Sequence, residues 1–130
     1  MDPGSKLPLS PHIQIYRLPL TALLSVVHRA TGVVLALGAV LLVWILALAA
    51  NSAEAYSQLY PHLASWYGQI FLLGLVFSLY MHFCNGIRHL FWDIGMGFDL
   101  EIVDRTAKFA IFAAIVLTVA TWAIAANLEL

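Results

Sequence analysis

The chain has 130 residues, 62% of them hydrophobic and 10% charged, with five histidines, one cysteine and a net charge of -1. A mean hydropathy of +0.90 lies outside the range of water-soluble globular domains, which excludes a soluble enzyme folded around its own core. No Lys/Arg cluster offers a surface to nucleic acid, and Cys84 alone makes neither an internal disulfide nor a Cys-x-x-Cys metal pattern, so it reads as a small packing residue.

Residues 1–20 come first and contain the run Leu7-Pro8-Leu9-Ser10-Pro11-His12-Ile13-Gln14-Ile15-Tyr16. This segment is too short to fold alone and too apolar for a free tail. Two readings stand side by side: a docking segment on the cytoplasmic or matrix side, and an interfacial anchor held by Ile13, Ile15 and Tyr16. No basic-then-apolar run with a small-residue cleavage site appears in it, so the first apolar stretch is expected to act as its own insertion signal.

Residues 21–130 are expected to form an all-α, integral membrane bundle of three transmembrane helices at about 21–50, 66–92 and 105–127. Each supplies the ~20 residues needed to cross ~30 Å of hydrocarbon as helix. Pro19 suits the first turn of the first helix. Ser25, His28, Arg29 and Gly32 then share one face at its inner edge. Residues 51–65 read as a short external loop, with Pro61 as a breaker and Tyr60, Trp66 and Tyr67 as interfacial aromatics.

In the second helix, Ser78, His82, Asn85 and His89 form one continuous polar stripe. Facing lipid, such a stripe is costly, so both polar faces are expected to turn inward, toward each other or toward another chain. Gly32, Gly74 and Gly86 permit close approach. Every basic residue (Lys6, Arg17, Arg29, Arg88, Arg105, Lys108) precedes the uninterrupted apolar stretch Val33–Ala50 or lies between the stretches Trp66–Ile87 and Phe109–Ala126. The positive-inside rule then puts the N-terminus in the cytoplasm and the C-terminus in the periplasm. Asp93 and Asp99 read as loop solvation or partner contacts, and Arg17 with Glu101 as weak docking charges.

Depth separates the histidines. With Arg29 and Arg88 marking the inner interface, His82 is expected about 9 Å deeper at 1.5 Å per residue, and His28 and His89 shallow. A histidine on a packed membrane helix is often a hydrogen-bonded structural residue. The alternative is an axial ligand of haem iron, neutral imidazole being a usual ligand where a haem passes electrons. Shallow His28 and His89 are poor second ligands, so the other imidazole is expected from another polypeptide. Haem propionates resist burial unless cations or donors meet them, and His28, Arg29, Arg88 and His89 stand at the shallow edge. For Arg88, an ordinary positive-inside arginine is the competing reading. Ser25 and Arg29 place a hydroxyl and a guanidinium one turn apart, suited to polarising the carbonyl oxygens of a quinone.

Two motifs carry a resemblance: Pro8-Leu9-Ser10-Pro11-His12-Ile13-Gln14-Ile15-Tyr16 followed by Ser25-Val26-Val27-His28-Arg29-Ala30-Thr31-Gly32, and His82-Phe83-Cys84-Asn85-Gly86-Ile87-Arg88-His89-Leu90-Phe91-Trp92-Asp93. With the three-span layout, the chain closely resembles the family of cytochrome b membrane-anchor subunits of succinate dehydrogenase, respiratory complex II. The resemblance implies half of a heterodimeric membrane anchor. It also implies a haem b held by His82 and shared with a second small anchor subunit, His28 near the propionates, and Ser25 and Arg29 at the ubiquinone site.

The implied partners are an iron-sulfur subunit, met by the segment around His12, and a flavoprotein subunit where succinate is oxidised, in addition to membrane lipid. No catalysis is expected from this chain alone, and no catalytic residue is assigned. With Met1 present and no transit-peptide pattern, the expected location is a bacterial inner membrane, the mitochondrial inner membrane being the alternative. Rival readings are a quinol:fumarate reductase anchor, a haem-free structural anchor, and a small transporter subunit. The last predicts polar groups through the full membrane depth, which the third span, with only Thr118 and Thr121 at mid-depth, does not offer.

Overall fold

The computed structural model describes residues 17–128; the expected docking segment around His12 lies almost wholly outside them. Four helices run in chain order: α1 Leu20–Asn51, α2 Ala53–Ala64, α3 Trp66–Asp93 and α4 Leu100–Asn127. Three of them, α1, α3 and α4, are long and apolar enough to cross a membrane. At 28 residues the shorter two reach about 42 Å, which exceeds the hydrocarbon core and carries their ends into the headgroup layers.

Pro19 precedes α1 in extended conformation and its carbonyl accepts from Ala22 (3.0 Å) and Leu23 (3.2 Å), closing the first turn that a proline cannot join as a donor. The expected loop at residues 51–65 is instead the helix α2. Ser52 caps it by accepting from the Ala55 amide at 3.1 Å, and Glu54 stands in its first turn, where a negative charge meets the positive end of the helix dipole. Pro61 lies inside this helix rather than breaking it; the helix runs three residues further, to Ala64, before it stops. Ser65 then caps α3 through the Gly68 amide at 3.2 Å.

The fourth helix begins at Leu100, five residues before the expected start. Its first turns are polar but paired: Arg105 meets Glu101 at 2.5 Å and Lys108 meets Asp104 at 2.6 Å, both at i,i+4 spacing. Such pairs support a helix without any apolar face. The turn that leads into it follows a Schellman pattern, with the Met96 amide on the Phe91 carbonyl and the Gly95 amide on the Trp92 carbonyl, both at 2.9 Å. Gly95 adopts φ +82° there, a left-handed conformation that glycine enters without a Cβ penalty.

The third helix is central, packing on α1 along one side and on α4 along the other. Ala107, Ala110 and Ala114 of α4 are buried; without bulky side chains they let the backbones approach, the packing available to helices that hydrocarbon does not push together. Tyr80 and Thr121 share a hydrogen bond of 2.7 Å across the same seam. Large apolar side chains cover the outside, Leu37 (67% exposed) and Phe109 (69%) among them, as befits a surface that meets lipid and neighbouring chains.

Candidate functional site

At the end of the bundle where α1 begins and α3 ends, the one expected from the basic residues to be the inner end, polar residues come together. The His82 ring of α3 lies against α1, its Nδ1 3.0 Å from the His28 carbonyl and 3.2 Å from Thr31 Oγ1. The His28 ring stacks on it with centroids 3.9 Å apart and planes 9° from parallel. Gly32 makes this approach possible, because a Cβ at that position would stand 3.1 Å from His82 Cε1. His28 also neighbours His89 at 5.1 Å, and His89 meets the edge of Trp92 at 5.0 Å. An aromatic column of His82, His28, His89 and Trp92 results.

A second network starts from the same face of α3. Asn85, 1% exposed, donates to the Leu24 carbonyl of α1 at 3.3 Å and accepts from Arg88 at 2.5 Å. Arg88 continues into α4, donating through Nε to Thr106 Oγ1 at 3.3 Å and through a terminal nitrogen to the Val103 carbonyl at 3.2 Å. Its guanidinium also sits 4.8 Å from the centroid of the Trp92 ring, a favourable position over an aromatic face. One chain of hydrogen bonds thus ties α1, α3 and α4 together where the bundle would otherwise splay.

These positions refine the expectations residue by residue. Both polar stripes contribute to the interior: Ser78, Asn85 and Thr31 are buried, while His28, His82 and His89 are half-buried. The expected separation in depth between His28 and His82 shrinks to at most the 3.9 Å between their stacked rings; taking Arg29 as a depth marker left out that an arginine can reach the interface along its own stem from a deeper backbone position.

His28 remains unsuited as a second ligand to the same iron, for a different reason. Axial imidazoles approach a metal nitrogen-first from opposite sides of the macrocycle, and stacked rings present their faces to each other. Arg88 lies about 120° around α3 from His82, six residues on at ~100° each, and its donors go to α3 and α4. Ser25 is half-buried and Arg29 exposed, without a hydrogen bond or ion pair among the described residues.

The cavity at this end of the bundle, 310 Å³ between the end of α3 and the start of α4, is lined by Arg88, Trp92, Met96, Ile102 and neighbours and does not include Ser25 or Arg29. Two groups point to an absent partner molecule instead. His28 Nδ1 is buried with no hydrogen-bond partner, a costly state that calls for a hydrogen-bonding partner from outside the chain. His82 Nε2, the other nitrogen of the ring held at Nδ1, is neither bonded among the described residues nor sealed off.

No group of three or more His, Cys, Asp or Glu capable of holding a bare metal ion occurs among the described residues. A metal that brings its own equatorial nitrogens needs only one such ligand per face, and His82 fits that requirement. Asn85 stands buried as its place on the inward polar stripe implied; Thr31 was the residue whose part sequence reasoning missed. Thr31 lies one turn beyond His28 on the α1 face already singled out, and its spacing was the available signal.

A family model described as succinate dehydrogenase/fumarate reductase transmembrane subunit matches residues 4–121. The succinate dehydrogenase cytochrome b556 subunit of Paracoccus denitrificans is 41% identical over 114 residues, covering 88% of each chain. That of Rickettsia felis is 39% identical over 119 residues, 91% of this chain and 92% of the relative. The mitochondrial succinate dehydrogenase cytochrome b560 subunit of Sus scrofa is 35% identical over 118 residues, 89% of this chain and 70% of the relative.

Proposed function

The chain belongs to the succinate dehydrogenase/fumarate reductase transmembrane subunit family, and from that premise we propose that it is the cytochrome b membrane anchor of a succinate:quinone oxidoreductase. In this reading His82 is one axial ligand of a haem b shared with a second anchor subunit, and Ser25 and Arg29 form part of the ubiquinone site. The observation that carries it is the state of the His82 ring. Its Nδ1 faces the His28 carbonyl at 3.0 Å, which can only accept, so the proton sits on Nδ1 and the Nε2 lone pair is left for a metal.

A haem bound there supplies a one-electron carrier beside the quinone. The chain's own residues hold and orient it. His28, with its unpartnered Nδ1, His89 and the exposed Arg29 offer donors and charge to the propionates. Arg88, committed to Asn85, Thr106 and Val103, adds its positive charge to that end while fixing α3 to α4. Ser25 and Arg29 donate toward the quinone oxygens as negative charge develops on them. Both stand on an open face of this chain, so other subunits complete the pocket.

Succinate oxidation belongs to a flavoprotein subunit and electrons arrive through an iron-sulfur subunit, against which residues 1–20 dock. The complex sits in an inner membrane, bacterial in the first reading and mitochondrial in the alternative, with the N-terminus on the cytoplasmic or matrix side and the C-terminus on the other, as the distribution of basic residues supports.

The test uses the assembled complex. Arg29→Ala is expected to lower quinone reduction about a hundredfold or more, the scale on which removing one donor to a developing oxyanion acts, while succinate oxidation by an artificial dye stays intact. An equal fall in both activities would make Arg29 structural and remove it from the quinone site.

A further inference from the structure

Resting on that reading of His82, we propose that Thr31 is a positioning residue for the haem ligand: its hydroxyl, with the His28 carbonyl, holds the imidazole in one tautomer and raises the ring's electron donation to iron. Thr31 is 7% exposed. Its Oγ1 lies 2.9 Å from both the Val27 and the His28 carbonyl oxygens, and 3.2 Å from His82 Nδ1. A hydroxyl has one hydrogen, and the two α1 carbonyls compete for it at the shorter distance. What Thr31 turns toward His82 is therefore a lone pair.

The His28 carbonyl, 3.0 Å from the same nitrogen, has no hydrogen to give. Both neighbours thus require Nδ1 to carry the proton, and they share it.

Position as well as tautomer is set here. The His28 ring covers one face of the imidazole at 3.9 Å, and Gly32 leaves room for the Cε1 edge, where a Cβ would stand at 3.1 Å. Residues 28, 31 and 32 of α1 together form a seat one turn long. Acceptors on Nδ1–H draw its proton outward and push electron density toward Nε2, the way a second partner tunes a metal-bound histidine. A stronger donor favours ferric over ferrous iron. Removing the Thr31 hydroxyl should therefore raise the midpoint potential of the haem.

The experiment compares Thr31→Val, which keeps the branched shape and removes the lone pair, with Thr31→Ser, which keeps the hydroxyl, both in the assembled complex. Redox titration and the low-temperature electron paramagnetic resonance spectrum of the ferric haem are the readouts. Thr31→Val is expected to shift the potential upward, by about 59 mV for each tenfold change in the ferric-to-ferrous preference, and to alter the ferric spectrum; Thr31→Ser is expected to stay near wild type. Haem lost from Thr31→Val but kept by Thr31→Ser supports the same role.

An unchanged potential and spectrum in Thr31→Val overturns it, and so do equal effects of both variants, which would make packing rather than the hydroxyl the cause. His82→Ala separates the two levels. Haem retained in that variant removes the ligand assignment itself, whereas a haem-free His82→Ala beside a silent Thr31→Val removes Thr31 alone.

Discussion

Between Leu20 and Gly32, α1 seals Leu24 and Thr31 against the bundle and engages α3 through hydrogen bonds to the Leu24 and His28 carbonyls. Between Val33 and Asn51 the same helix buries none of its residues within the chain; Leu37, Val40 and Val43 are 67, 70 and 66% exposed. One half of a continuous helix is held by directional contacts that need particular side chains. The other is held by shape and by whatever apolar medium surrounds it. Residue identity should therefore matter sharply at the inner end and little at the outer.

The largest test of that contrast is His82→Ala. With its Nε2 gone, the assembled complex should lose its succinate-reducible haem, read as missing b-type bands in a reduced-minus-oxidised spectrum; normal haem content would erase the difference between the two halves. Next comes Arg88→Ala, which leaves Asn85 without its donor and severs the bonds to Thr106 and Val103. Loss of a partner from a buried polar group costs about 1–3 kcal/mol, to be seen as a lower unfolding midpoint of the complex and earlier loss of the anchor subunits.

Two glycines sharpen the comparison at smaller scale. In Gly32→Ala the new methyl meets a ring pinned by hydrogen bonds and stacking, so overpacking of about 1–3 kcal/mol is expected, with a shifted ferric haem spectrum. Gly38→Ala, in the outer half, meets the end of the Leu75 side chain at 2.9 Å. That leucine can change rotamer, so the effect should stay below about 1.5 kcal/mol and the haem spectrum should not move. Equal spectral shifts from the two substitutions would show that the inner seat is no more selective than ordinary helix packing.

The spans were legible because apolar length is a strong signal: the starts of α1 and α3 fell within a residue of the reading, Leu20 against 21 and Trp66 against 66. The misses were polar helices. The α2 helix is capped by Ser52 and tolerates Pro61 near its end, and the first turns of α4 are held by Glu101–Arg105 and Asp104–Lys108. Both i,i+4 pairs stand in the sequence, but a search guided by hydropathy passes over them.

At the site, spacing named His28, His82 and His89 and turned both polar faces inward, but it set His82 deeper than the other two, where the structure stacks its ring on His28. It left Arg88 ambiguous, because 3.6-residue periodicity distinguishes faces of α3 only once the neighbour on each face is known. The structure puts α4 there. Thr31 escaped notice for a related reason: its role depends on the tautomer of a residue 51 positions away.

A density map of the assembled complex at side-chain resolution tests the central claim most directly. It should show haem iron on His82 Nε2, the His28 carbonyl still on Nδ1, and the opposite axial position filled by an imidazole from a second small subunit. A map in which that ring packs against protein or lipid with no porphyrin beside it, or in which both axial ligands come from this one chain, would contradict the account.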